Sequence, residues 1–503
     1  MINGGGDDFL DDILIGLLQV FSIHNFLAAA LGVFLGIIFG AIPGLGSTSG
    51  TALLIPISYV MEPAQALIFL AAIYQGSTYG GSISAILFKI PGSSEAVMTL
   101  LDGYEISKKG NPEKALNLAL ISSVFGGFIG VIALIVLTPQ LSKFALAFSS
   151  AEYFALCLLA ISAISGIGDS PIRGLIAGLF GFLIAAIGID SISGTVRFTF
   201  GLGSLQAGVP LVPVLIGLFA GSEVFYNIAC GKWKDEHTQI KITKKISITF
   251  GYIKDLLKYK WVFLRSSLIG IVVGILPGVG VTAASIISYN AEVRFSKEPE
   301  EFGKGKIEGV IAPEAANNAA VGGAFVPLLS LGIPGSATTA VILAAFILHG
   351  LMPGPLLIIQ QKQLVYTLFG GMLISVVLLY IFALFLIKVF AKVLVLPYSL
   401  LASTVFLVCL VGSLVVVGRL YGVVIMFIFS IFGFVMRHYE YPAAPLMLGV
   451  VLGPILEPSL RRALLIAKGN FFMVISRPIS ALIIVISIII FILPLIKKMK
   501  KSL

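Results

Sequence analysis

Charge is scarce in this sequence. Of 503 residues only 11% are Asp, Glu, Lys or Arg, while 58% are hydrophobic. Soluble domains carry about 25% charged residues. A chain this apolar, with mean hydropathy +1.06, cannot cover itself with water-facing side chains, so its excess apolar surface must face lipid. Cysteine is almost absent. Cys157, Cys230 and Cys409 lie far apart and form no CxxC, which gives neither a disulfide framework nor a zinc site. His24, His237, His349 and His438 form no HExxH or metal spacing, and no Gly-x4-Gly-Lys-Ser/Thr is present, so the sequence holds no P-loop. Gly166-Ile-Gly168-Asp169 has the form of an intramembrane aspartyl-protease motif. That chemistry needs two carboxylates sharing a proton, and the expected Tyr-Asp partner is missing; Pro171 and Arg173 place Asp169 at a membrane edge. With no readable nucleophile–base pair, no catalytic residue, metal site or cofactor is expected, and the chain does not read as an enzyme.

What the sequence has in abundance is long apolar runs. Crossing the hydrocarbon core takes roughly 20 helical residues. Such runs recur at Ala115–Leu137, Ala145–Ile164, Pro210–Ala229, Trp261–Tyr289 and Leu364–Ile387. The alternating ten-residue segments of a membrane barrel are absent, so the expected fold is an all-α polytopic membrane protein with about ten to twelve crossings, multi-pass in the cell (inner) membrane. The start, MINGGGDDFLDD, is acidic where a signal peptide is basic. The net charge of +9 comes from loops, chiefly Lys232–Arg265, Lys108, Lys109 and Lys114, and the tail Lys497, Lys498, Lys500 and Lys501. These read as cytoplasmic topology signals and not as a nucleic-acid groove; the absence of Lys and Arg before Lys89 favours an external start.

The chain also repeats itself. Gly40-Ala-Ile-Pro43-Gly44-Leu-Gly46 reads like Gly274-Ile-Leu-Pro277-Gly278-Val-Gly280, at an offset of 234. Gly80-Gly81…Pro91-Gly92-Ser93 reads like Gly322-Gly323…Pro334-Gly335-Ser336, at 243 between the prolines. The charged stretch Glu292–Glu308 absorbs the difference, and Glu223 and Glu457 are again 234 apart. The division expected is a first repeat over 1–240, a cytoplasmic linker over 241–260, a second repeat over 261–480, and a final helix with basic tail over 481–503. The external start and cytoplasmic linker predict that the repeats are inverted. Duplicated halves with helices broken at Gly and Pro are common among secondary transporters, whose sites form at the breaks. Proline removes a backbone donor, and the amides and carbonyls freed in this way must be buried or line a polar cavity. A helix N-terminus beside the break suits a carboxylate. Gly44, Gly46, Ser47, Thr48, Gly92, Ser93, Gly278, Thr282, Gly335 and Ser336 are therefore the candidate substrate-binding residues. Pro313-Glu314-Ala-Ala-Asn317-Asn318 is a polar, proline-broken run in an apolar half. Intramembrane ionisable residues are functional candidates, so Glu314, Asn317 and Asn318 are the candidate residues for a coupling ion; an interhelical hydrogen-bond cluster is the other reading of the same run.

At these segments the sequence resembles the TctA family, the large membrane subunit of tripartite tricarboxylate transporters. The resemblance rests on GAIPGLGSTSGTALLIP (40–56), YQGSTYGGSISAILFKIPG (74–92), LDGYEISKKG (101–110), ILPGVGVTAA (275–284), IAPEAANNAAVGGAFVPLLSLGIPGS (311–336), HGLMPGP (349–355), LEPSLRRALLIAKGN (456–470) and SRPIS (476–480). It implies a carboxylate substrate, a Na⁺ or H⁺ gradient, a small four-helix membrane subunit and an extracytoplasmic substrate-binding protein. The chain departs from the family at Lys89, where a neutral polar residue is expected; this lysine could meet a substrate carboxylate, Glu95 or the membrane interface. The four Pro-Gly tips are expected to converge on one site. The rivals are a stand-alone ion-coupled anion permease, a channel and a membrane enzyme.

Overall fold

The computed structural model describes residues 14–16, 18–167, 170–230, 256–393 and 398–502. The first half runs through α1 (Ile23–Ala41), α2 (Gly46–Ser58), α3 (Pro63–Phe88), α4 (Val97–Lys108), α5 (Pro112–Ala145), α6 (Ser150–Ile167) and α7 (Pro171–Ala185). A small antiparallel hairpin, β1 (Gly188–Ile189) and β2 (Val196–Arg197), then leads to α8 (Leu211–Ala229), whose middle, Ile216–Gly221, is π-helical. The second half holds α9 (Lys260–Ile275), α10 (Gly280–Phe295), α11 (Glu308–Leu331), α12 (Ala337–Leu348), α13 (Pro355–Gln360) and α14 (Lys362–Val393). It continues with α15 (Tyr398–Val417), α16 (Leu420–His438), α17 (Ala443–Ile466), α18 (Phe471–Ile475) and α19 (Pro478–Ser502). Most of the expected linker, the acidic start, His237 and Asp169 lie outside the described residues.

Among the described residues seven helices (α1, α5, α8 and α14 to α17) are long and apolar enough to cross a membrane, and α6, α7, α12 and α19 contain shorter apolar segments. Two more are long but interrupted by polar and small residues. With 26 and 24 residues, α3 and α11 reach about 36–39 Å at 1.5 Å per residue. Their middles are buried on every side. A helix sheathed in protein need not be greasy, so Gln75, Ser77, Thr78 and Ser82 on α3 and Glu314, Asn317 and Asn318 on α11 are tolerated there.

The apolar stretch Trp261–Tyr289 is not one continuous helix: it divides at residues 276–279 into α9 and α10. The same division separates α1 from α2. In the first half the chain turns back, bringing Gly50 of α2 against Phe39 of α1. The four helices that follow the breaks, α2, α4, α10 and α12, have 13, 12, 16 and 12 residues, about 18–24 Å, short of the roughly 30 Å hydrocarbon core.

Close approach at small residues gives the helix directions. Gly32, Gly36 and Gly40 of α1 meet Phe69, Ile73 and Ser77 of α3 in the same order, so these helices run parallel. In the second half Gly270 and Gly274 of α9 meet Ala316 and Ala320 of α11, again parallel. Between the halves the order reverses. Ser82 of α3 bonds to Glu314 of α11, while Tyr74 lies against Phe325, ring centroids 6.5 Å apart, so α3 and α11 run in opposite directions. The packing is also exchanged: α5 leans on α9 and α11, and α14 leans on α1 and α3.

Candidate functional site

Each half builds its tip in the same way. After α1, Gly44 and Gly46 take φ values of +91° and +57°; after α9, Gly278 and Gly280 take +78° and +74°. Side-chain-bearing residues rarely adopt this left-handed conformation. It reverses the chain so that α2 and α10 begin at once. The second break then folds against the first. A Cβ on Gly46 would sit 3.4 Å from Ser93 Cβ, and one on Gly280 would sit 3.5 Å from Ser336 Cβ. Gly44 N–H donates to Gly92 C=O (3.3 Å), and Gly280 N–H donates to Gly335 C=O (3.2 Å).

Gly92 and Gly335 are glycine for a different reason. A Cβ on Gly92 would come 2.9 Å from Gly81 Cα, and one on Gly335 would come 2.7 Å from Ala324 Cα. These glycines allow each second tip to press into its own half's long helix.

The four tips meet through side-chain hydroxyls. Thr338, at the start of α12, shares hydrogen bonds with Ser47 (3.1 Å) and Thr48 (2.9 Å) at the start of α2. Ser94, in the turn before α4, shares one with Thr282 of α10 (2.9 Å). Tyr74 Oη donates to Ser336 Oγ (3.0 Å), and Ser336 caps α12 reciprocally with Thr339. The helices α2, α4, α10 and α12 thus bring their N-terminal ends into one cluster. Ser94 is exposed, Thr48 and Thr282 are half-buried, and the rest of these hydroxyls are buried. Seven of the ten residues read from the sequence are joined by these hydrogen bonds, Gly46 and Ser93 lie beside each other, and Gly278 shapes the second half's first turn.

A buried carboxylate also stands in this cluster, and the sequence reading gave it no role at the site. Glu95 accepts hydrogen bonds from Ser47 (2.6 Å) and Ser94 (3.1 Å). Lys89 does not pair with it: the lysine is exposed in a left-handed conformation, its Nζ 5.4 Å from the Tyr104 ring centroid. Only the fold could have shown Glu95's place, because Ser47 lies 48 residues away in sequence.

Glu314 is wholly buried one level away and accepts from Ser82, from Thr99 (2.5 Å) and from Ser123 (2.7 Å). Asn318 Nδ2 donates to Asn317 Oδ1 (2.8 Å) and to the Glu314 carbonyl (3.1 Å). Hydroxyls from α3, α4 and α5 therefore converge on a carboxylate of the other half. Thr99 stands one turn along from Glu95, which links this cluster to the tips.

Other carboxylates hold the scaffold. Asp102 accepts from the backbone N–H groups of Gly303, Gly305 and Lys306 (2.9, 2.8 and 2.7 Å) and from Tyr289 Oη (2.8 Å), tying α4 to the loop before α11. Glu223, beside Gly44, pairs with Arg437 and accepts from Asn227. In the β hairpin, the hydrogen bond from Arg461 holds the Asp190 carboxyl well below the usual carboxylate range, assisted by Ser193 and the Ile192 N–H. Glu457 joins the same network through Arg197 (2.7 Å). A cavity of about 1070 Å³ lies here, between α7, α12 and α17, with Arg197 and Glu457 on its wall and Leu343 and Ile347 of α12 facing it.

Comparison with known proteins bears on what such tips serve. A profile of the tripartite tricarboxylate transporter TctA family matches residues 26–448. An Agrobacterium vitis protein described as an uncharacterized 52.8 kDa protein in the TAR-I ttuC′ 3′ region is 36% identical over 482 residues, covering 96% of this chain and 95% of that one. A second protein of that organism, described as uncharacterized and in the TAR-II ttuC′ 3′ region, is 39% identical over 233 residues, 46% of this chain and 96% of its own length. No solved structure matches.

Proposed function

The chain belongs to the tripartite tricarboxylate transporter TctA family, and on that premise we propose that it is an ion-coupled secondary permease. It imports a di- or tricarboxylate handed over by an extracytoplasmic binding protein, works with a small four-helix membrane subunit, and sits in the inner membrane. The observation that carries this reading is the meeting of four helix N-termini at Ser47, Thr48, Ser94, Thr282 and Thr338. Amides and hydroxyls at helix starts stabilise an anion, since each N-terminus carries unpaired donors and partial positive charge. The coupling cation, Na⁺ or H⁺, belongs to the buried carboxylates beside them, among which Glu314 with Asn317 and Asn318 is one station.

The architecture behind it is an inverted repeat. Matching helices α3 and α11 run oppositely, and the exchanged packing of α5 and α14 is what a two-fold axis in the membrane plane produces. With Lys260 and its basic neighbours cytoplasmic, α9 and α11 start inside and α1 and α3 start outside. Lys109 then belongs inside as well, in keeping with its bond to the Lys304 carbonyl (2.6 Å) at the same end. Arg461, which this topology leaves outside, is balanced there by Asp190 and Glu457. The β hairpin and the large cavity face the outside too, where a delivered anion arrives. Movement of one group of helices against the rest then opens the tips to either side in turn.

The test is reconstitution with the small subunit and the binding protein, screening carboxylates under imposed Na⁺ or proton gradients. Gradient-driven uptake of a carboxylate that needs the binding protein is expected. Full-rate uptake by the purified chain alone would favour the stand-alone permease, and a complex that moves no carboxylate under either gradient would overturn the reading.

A further inference from the structure

We propose that Glu95 is a cation-binding carboxylate of the tip cluster, taking up one proton or one Na⁺ before the substrate anion settles there. The inference rests on the reading of the tips as an anion site. Glu95 is only 2% exposed, lies in the helical turn that opens the second tip, and shares its Ser47 partner with Thr338 of the other half. No ion pair among the described residues includes it. A buried negative charge without a counter-charge is costly, and it would repel a carboxylate arriving at the same helix ends. Adding one positive charge removes both penalties, so the cation binds first and on its own, and the anion binds favourably only once the cation is in place. That is the thermodynamic content of coupling.

The surroundings leave Glu95 as the group to be neutralised. The helix that follows it, α4, carries Glu105 and Lys108 toward its far end and Asp102, which is already bonded by three backbone amides and Tyr289. From α11 comes Glu314, engaged by three hydroxyls, and from α3 comes Tyr74, which donates to Ser336. The helices α2 and α12 contribute no charged residue, and α10 has its own, Glu292 and Arg294, at its far end. Lys89 is turned out onto Tyr104. Ser47, Ser94 and Thr338 supply hard oxygen donors, the ligand type that Na⁺ and a protonated carboxyl both accept. Ser93, beside them in sequence, is buried, and its hydroxyl finds no protein partner among the described residues.

The experiment uses the purified full chain without any carboxylate, so its outcome does not depend on finding the transported substrate. Binding of ²²Na⁺ is measured for the native protein, E95Q and E95D, together with infrared titration of the protonated-carboxyl stretch. If the ligand is Na⁺, ²²Na⁺ binding is lost in E95Q and weakened in E95D. If the ligand is a proton, no ²²Na⁺ binds, and one titrating carboxyl band of the native protein is missing from E95Q and displaced in E95D. Glutamine keeps the shape and the Ser47 hydrogen bond; should it still fail to fold, E95D alone decides. Native behaviour of E95D in both measurements, or of a folded E95Q, overturns the proposal, as does loss of the signal in E314Q but not in E95Q. Failure of the carboxylate reading would appear separately, as a reconstituted complex that moves no carboxylate although Glu95 binds its cation.

Discussion

The two halves make the same tip with different chemistry. At the step of the repeat where the first half places Glu95, the second, 243 residues on, places Thr338. Where Ser336 is capped reciprocally by Thr339, its counterpart Ser93 makes no side-chain cap bond. Backbone geometry is held in common: left-handed glycines at the first break and close-packed glycines at the second. A duplicated scaffold can thus keep its two-fold geometry while its centre becomes asymmetric. A carboxylate in the first turn of a helix partly satisfies that helix's positive end, whereas a hydroxyl leaves it available. On the proposed reading, Glu95 suits the start of α4 to a cation, while the starts of α2, α10 and α12 stay open to an anion.

The sharpest way to break this comparison is to make the halves alike. T338E would put a second carboxylate against Ser47 and Thr48. Thr338 is buried, so a charge there lowers the folded yield; we expect uptake per folded molecule of the reconstituted complex to be lost as well. Surviving uptake would mean that the second tip does not receive the anion.

Bulk at the close-packed glycines should come next. G92V and G335V push a Cβ into the backbone of Gly81 and Ala324 respectively. Overpacking costs about 1–3 kcal/mol, occasionally more, so both should lower the thermal midpoint and the folded yield. At Gly178 of α7, where the nearest atom to a Cβ would be a side-chain methyl of Ile161 at 3.2 Å, valine should cost less. Equal losses at all three positions would remove the distinction between tip packing and ordinary helix packing.

Thr282 sharpens the comparison more gently. T282V removes a hydroxyl that now bonds Ser94 and nearly preserves volume. If that hydroxyl turns to the substrate carboxylate, the loss is about 1.5–3 kcal/mol, roughly ten- to more than a hundredfold in affinity. Uptake measured against substrate concentration reads it, and an unchanged half-saturation point would place Thr282 outside the anion's reach. The smallest effect is expected far from the tips. The Arg173–Glu440 pair is exposed by 40% and 80%, and R173A should change stability by less than about 1 kcal/mol with uptake per folded molecule unaltered.

Much of this was legible in the sequence, because the signals were local. Long apolar runs gave the membrane class, and paired Pro-Gly motifs marked the breaks and the residues that meet there. What the sequence could not give was burial without hydrophobicity. Polar and small residues on α3 and α11 lower their hydropathy, yet these are among the most enclosed helices in the molecule. Nor could the sequence give the packing at Gly92 and Gly335, where a Cβ would meet backbone of the same half. Glu95 was one of three partners the sequence offered Lys89, and only the fold turns the lysine outward and the carboxylate in. Asp102 was hidden for the same reason, since three of its partners lie about 200 residues away.

The claim on which the rest depends is that tips from both halves enclose the transported anion. Cysteines placed at Thr48 and Thr338, whose hydroxyls are 2.9 Å apart, in a chain with its three native cysteines replaced, test it directly. Oxidation should join the halves and stop uptake, reduction should restore it, and a transported carboxylate should slow the joining. Failure of the pair to join, or full-rate uptake by the joined protein, would contradict the account.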